Sequence, residues 1–310
     1  MSETVTRKEL MGETVNKYTT RKEFFKQYKK KSRLEETWNR FLRNKMAVIG
    51  LFIFVFIMVV AVVAPLIADY DTEAITINVP NRLQSPSAEH IFGTDEMGRD
   101  IMARIVHGAR ISLVVGFSSV AIALFIGGAF GAIAGYYGGK IDDIIMRCMD
   151  VFLCLPDVLL ALAIVAAFGT TLVNMTIAIG LSFTPKFSRV VRSAVMTVRG
   201  IEYVEAARAI GSTNTHIITN HVLINCFGPI VVQVTLYVAS AILTISALSF
   251  IGLGIQAPIP EWGNMLASGR AYMRDHAYIV MAPGLAIFVT ILSLNLLGDG
   301  LRDALDPRLK

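Results

Sequence analysis

Long charge-free stretches alternate with short polar ones along this chain. Residues 46–68 run 23 positions without a charge, and residues 111–139 run 29. Roughly 20 apolar residues cross a hydrocarbon core about 30 Å thick, so both predict membrane-spanning helices. Further apolar runs at about 144–168, 172–193, 229–254 and 279–298 bring the expected number to six. Lipid cannot satisfy backbone N–H and C=O groups, so each run is expected to be a helix and the fold all-α. The first run begins after 45 residues, too late for a cleavable leader with a short basic start, and is expected to stay as the first span.

Composition agrees. Of 310 residues 54% are apolar, and the mean hydropathy of +0.57 is outside the range of ordinary soluble domains. The placement of Lys and Arg then orients the spans. With the N-terminus inside, only Arg82, Arg99, Arg104, Arg110, Arg270 and Arg274 fall outside, and the other 23 of the 29 basic residues fall inside. Both termini are therefore expected in the cytosol. The net charge of +5 comes mostly from the N-terminal tail, so it reports topology and lipid headgroups rather than nucleic acid.

This gives a basic cytosolic tail at 1–45, a first span at 46–68, an extracellular loop with an interfacial helix at 69–110, a core at 111–300 with a cytosolic loop at 196–228, and a short cytosolic tail at 301–310. Within the tail, 21–44 intersperses Phe, Tyr, Leu and Trp with charges, as in a helix lying at the inner membrane surface. On a helix, Asp100, Arg104 and His107 share one face, which predicts an amphipathic helix at the outer interface leading into the second span. Cys148, Cys154 and Cys226 lack metal-ligand spacing and read as reduced packing residues. The outer loop at 254–277, with two prolines and Trp262, reads either as a gate or landing surface or as a re-entrant structural cap.

The cytosolic loop carries the most telling segment, EYVEAARAIG at 202–211. It is a short Ala-rich helix stopped by Gly211, which can take the positive φ that ends a helix. Ser212 and Thr213 follow as caps for the next helix. Glu205, Ala206, Ala207 and Gly211 form a compact knob between spans four and five. In span five, Gln233, Tyr237, Ser240 and Thr244 recur within about 60° of arc, either lining a solute path or joining helices. In span three, Asp143, Arg147, Asp150 and Asp157 fall on one helical face. Asp157 lies deep, as does Lys186 in span four, and two such charges on adjacent spans either pair inside the bundle or stand apart, snorkelling or exposed to water. GYYGGK at 135–140 lacks the residues of a phosphate-binding loop, because Ala134 and Ile141 stand where Gly and Ser or Thr would be needed. No catalytic or metal-binding arrangement is in view. No internal repeat supports an inverted-repeat secondary transporter.

Four blocks together resemble the permease subunits of the dipeptide/oligopeptide/nickel branch of ABC importers: GTDEMGRDIMARIVHGARISL (93–113), GYYGGKIDDIIMRCMDVFLCLP (135–156), EYVEAARAIG (202–211) and LNLLGDGLRDALDPR (294–308). GLGIQAPIPEWGNML (252–266) adds a weaker fifth. One departure is Ile224, where the family usually has Pro. The resemblance implies a type I-like permease fold in a bacterial or archaeal plasma membrane, with the 202–211 knob as the handle for an ATPase. It implies a second, related permease, two cytosolic ATPase subunits and an extracellular solute-binding protein as partners. ATP and Mg would be bound on the ATPase chains, none by this one. Peptide, nickel or another small solute remain open as cargo. A permease acting alone as a secondary transporter is the alternative from another class.

Overall fold

The computed structural model describes residues 33–305, and by internal contact the chain divides into two units, Met1–Arg40 and Phe41–Lys310. Most of the tail expected at 1–45 lies outside the described residues, as do 306–310 of the C-terminal tail. Of the predicted surface helix at 21–44, the described part is helix α1 (Arg33–Arg43), with Glu35 and Glu36 in its first turn.

The second unit is built of helices, and no strand occurs among its described residues. Helix α2 (Lys45–Ile67) starts at Asn44, whose side chain accepts from the N–H groups of Met46 and Ala47. Helix α3 (Ile101–Tyr137) follows a polar loop and is 37 residues long, about 55 Å at the usual rise. The interfacial helix expected before the second span is therefore the first turns of α3 itself, because nothing between 101 and 137 breaks the helix. Asp100 is not on its face but caps it, accepting from Ala103 N–H at 2.8 Å and pairing with His90 Nδ1 at 2.8 Å. Arg104 turns instead to Asp95 and to the Ala74 carbonyl.

The third expected span is broken. Helix α4 (Gly139–Leu153) and helix α5 (Asp157–Phe168) meet at 82°. The cause is Pro156: it cannot continue a helix and biases Leu155 toward an extended conformation. The single face expected for Asp143, Arg147, Asp150 and Asp157 is lost with the break. Helix α6 (Leu172–Val198) returns and ends at the knob helix α7 (Glu202–Ala209). Short turns of π- and 3₁₀-helix over 217–226 lead into helix α8 (Phe227–Phe250), so the path out of the knob is irregular even with Ile224 in place of Pro. Helix α9 (Trp262–Gly269) lies in the outer loop, and helix α10 (Tyr278–Leu305) closes the chain.

Among the described residues, four helical stretches are long and apolar enough to cross a membrane: α2, α3, Asn214–Phe250 and α10. The bent α4–α5 pair makes up to five. Helix α6 is 27 residues long but carries Lys186, Arg189 and Arg192.

Helices α3 and α6 form the central pair. Gly127, Gly131 and Gly135 of α3 face the carbonyls of Thr184, Ser188 and Arg192 on α6, where an added Cβ would stand 2.3, 2.3 and 2.9 Å away. Small residues at four-residue spacing let two backbones approach this closely, which maximises dispersion contact where no hydrophobic driving force exists between helices in lipid. The main apolar core, with Phe183, Phe187, Ile242 and Ile245, extends from this pair toward α8.

Candidate functional site

The knob is a separate small structure braced from beneath. Gly211 ends α7 with φ +86°, and the N–H groups of Gly211 and Ser212 bond back to the carbonyls of Arg208 and Ala207. The Thr213 hydroxyl then accepts from His216 N–H and opens the next turn. Val204 and Ala207 point inward, into a cluster with Tyr136, Val195, Ile217 and Cys226. Glu205, Ala206 and Gly211 point outward, together with Tyr203 and with Ile210, which is 83% exposed. Ala207, grouped with the knob's surface from sequence, is only 6% exposed and belongs to its foundation. An eight-residue helix has one face to bury, and Val204 sets which face that is, three residues before Ala207.

Tyr136, at the end of α3, holds the knob. The Arg208 guanidinium lies 5.6 Å from the Tyr136 ring centroid, and the Tyr136 hydroxyl donates to Asn214 Oδ1 at 3.0 Å. Arg199, just after α6, donates to the Gly135 carbonyl at 2.7 Å. The knob is thus fastened to the ends of both central helices.

Along α6, three basic side chains reach across to α4 and α5. Arg192 grips Asp142 with two bonds of 2.5 and 2.6 Å, Arg189 donates to Asp150 at 2.5 Å, and Lys186 donates to Asp157. The structure places Lys186 and Asp157 in contact, one of the two arrangements the sequence left open. The other two were missed, and the available signal was the spacing of 186, 189 and 192 along one edge of α6. Asp142, not Asp143, is the inward residue of the first turn.

The polar stripe on α8 divides. Gln233 and Tyr237 are half-buried, and the Tyr237 ring packs on Phe183 and Phe187 at centroid distances of 5.4 and 4.8 Å. Phe183, on which this ring packs, also flanks the Lys186 ammonium at 5.8 Å. Ser240 is exposed and Thr244 buried, and both hydroxyls bond back to carbonyls of their own helix, at Leu236 and Ser240. Tyr237, with Gln233 one turn before it, is thus linked to the Lys186–Asp157 pair through Phe183, while Thr244 packs inside the bundle.

The outer loop is fixed firmly to α3. Trp262 Nε1 donates to the Ile105 carbonyl at 3.0 Å, and the buried Glu261 carboxyl accepts from the N–H groups of Gly263 and Asn264, capping α9. Burial pushes the Glu261 carboxyl above its ordinary range. Among the described residues, no three His, Cys, Asp or Glu side chains converge as metal ligands would.

Comparison with known proteins adds to this geometry. The family described as binding-protein-dependent transport system inner membrane component matches residues 127–310. The N-terminal TM domain of oligopeptide transport permease C matches residues 32–86. The chain is similar to a dipeptide transport system permease protein of Alkalihalophilus pseudofirmus, 48% identical over 284 residues that cover 92% of this chain and 93% of that one. It is also similar to a glutathione transport system permease protein of Pectobacterium atrosepticum, 42% identical over 276 residues, covering 89% and 91%. Among solved structures, it shares its fold with a chain of the inward-facing MetNI methionine ABC transporter, with a TM-score of 0.55 at 17% identity over 66% of this chain and 98% of that chain.

Proposed function

Because the chain belongs to the family of binding-protein-dependent transport system inner membrane components, a family of multi-pass membrane proteins, we propose that it is the permease subunit of an ATP-driven importer of short peptides. Six spans are inferred: the four long apolar helices, the bent α4–α5 pair and α6, whose charges are met by that pair. Both termini lie in the cytosol in this reading, which the distribution of Lys and Arg supports. The complex contains a second, related permease, two cytosolic ATPase subunits and an extracellular binding protein. ATP and Mg are bound and used on the ATPase chains, and this chain transmits motion and forms half of the path. The dipeptide and glutathione permeases among its relatives support a peptide cargo.

The observation that carries this function is the outward face of the knob: Glu205, Ala206 and Gly211, with Ile210 presented to solvent at the end of the central helix pair. A push on that face reaches α3 through Tyr136 and α6 through the short link after Val198, and α6 carries it to α4 through the Arg192–Asp142 and Arg189–Asp150 pairs. The path then switches between two access states, biased by nucleotide on the partner chains. Substituting Ala206→Trp puts bulk on the outward face without disturbing the foundation. Co-purification of the ATPase subunits and ATP-dependent uptake of labelled dialanine are expected to fall about tenfold, as for a lost central contact of an interface. Undiminished docking and uptake would remove the assignment.

A further inference from the structure

The three ion pairs along α6 are not alike. Arg192 and Asp142 close on each other with two bonds, so both carboxylate oxygens are used. Lys186 touches only Asp157 Oδ2. Its two other ammonium donors and Asp157 Oδ1 have no partner among the described residues. The side chains of Lys186 and Asp157 are 35% and 22% exposed. The pair is therefore an open one, with unused hydrogen-bonding capacity of both signs.

Its surroundings also differ. Lys186 lies about 18 Å along α6 from Val198, and Tyr237 about 15 Å along α8 from Phe227, so both are near mid-length of their helices. Phe183 flanks the ammonium at 5.8 Å and its ring packs on Tyr237 of α8, with Gln233 one turn earlier on that helix. A net-neutral pair is the form in which two charges are held this deep at tolerable cost. A lysine is also the residue suited to exchange. Its ammonium is a point charge with rotatable donors, whereas the planar fork of an arginine locks onto one carboxylate.

Building on the peptide-importer assignment, we propose that Lys186 and Asp157, with Tyr237 and Gln233, form a cargo subsite for zwitterions: Lys186 takes the free carboxylate and Asp157 the free ammonium of a short peptide. The exchange replaces one ion pair by two, leaves no charge unpaired and needs no change of protonation. When the cargo leaves, the pair recloses, so the path holds no uncompensated charge in either state.

The test uses the complete complex with its binding protein and ATPase subunits in proteoliposomes, with uptake of labelled dialanine as the readout. The variant Lys186→Arg keeps the charge and offers Asp157 a bidentate partner, so a helix clamp would be preserved. The subsite predicts that uptake falls about tenfold, the worth of one charge-assisted contact, while assembly and ATP hydrolysis stay near wild type. The double variant Asp157→Asn with Lys186→Met removes both charges together, and it too is expected to assemble and to transport poorly. Uptake at the wild-type rate in either assembled variant overturns the subsite, as does failure of both variants to assemble, which would make the pair a structural clamp. Absence of dialanine uptake by the wild-type complex would instead overturn the peptide cargo itself.

Discussion

Ala206 and Ala207 are the same residue one position apart, yet they do opposite work. One is a surface the knob presents, and the other fills the cluster of Val204, Ile217 and Cys226 on which the knob stands. Glu261 shows a similar dependence on surroundings. Its carboxyl is wholly buried, and burial holds its affinity for a proton above that of an ordinary glutamate at 4.5. The folded outer loop thus binds the proton more tightly than the unfolded chain. That contribution to stability is full below the ordinary value and is lost as pH rises from it toward the raised one. Melting curves of the wild type and Glu261→Gln should therefore converge or favour the wild type in mild acid. The wild type should lose ground to the variant toward neutrality, and a difference independent of pH would contradict a buried, titrating carboxyl. Such residue-level facts were only partly legible beforehand. Pairing of Asp157 and Lys186 was one of two arrangements open beforehand, because two lone charges in apolar helices are costly. The inward turn of Ala207 could not, since an isolated amphipathic octapeptide does not say which neighbour it will meet.

At the scale of helices, the apolar runs were readable because absence of charge over 23 or more residues has one inexpensive solution in lipid. What they concealed was continuity. Asp100 caps a helix that runs unbroken to Tyr137, and Pro156 divides one apolar run into two helices at 82°. The pairs Asp142–Arg192 and Asp150–Arg189 join residues 50 and 39 positions apart in sequence and depend on the register between α4 and α6, which spacing along one helix cannot supply. The glycines of α3 did leave a trace, at 127, 131 and 135, whose meaning appears only once α6 lies across them. Leucine at the middle position has no room beside the Ser188 carbonyl. Gly131→Leu should separate α3 from α6 and lower the stability of the permease by about 3 kcal/mol, the upper range for overpacking. Thermal unfolding in detergent would measure it, and a shift within error would show that the two helices are not held at backbone contact.

Across the whole molecule, α6 is the member that touches everything the transport cycle needs. It meets the knob at one end through Val195 and Val198, α3 along its length, the broken helix pair through three ion pairs and Tyr237 of α8 through Phe183 and Phe187. Motion of the knob can therefore reach the bend at Pro156 without passing through lipid-facing side chains. The rung nearest the knob, Arg192–Asp142, is the one this route crosses first, and its two short bonds make it stiff. Removing one partner with Arg192→Met leaves the buried Asp142 uncompensated and cuts the mechanical tie as well. Uptake should then fall by about tenfold or more while the ATPase subunits remain bound and active, because the proposed docking face is untouched. Adding Asp142→Asn removes the stranded charge but not the loss of the tie. Stability should recover, with a coupling of about 1–3 kcal/mol between the two sites, while uptake stays low. Recovery of both together would mean that the rung only balances charge, and that force reaches the bend by another route.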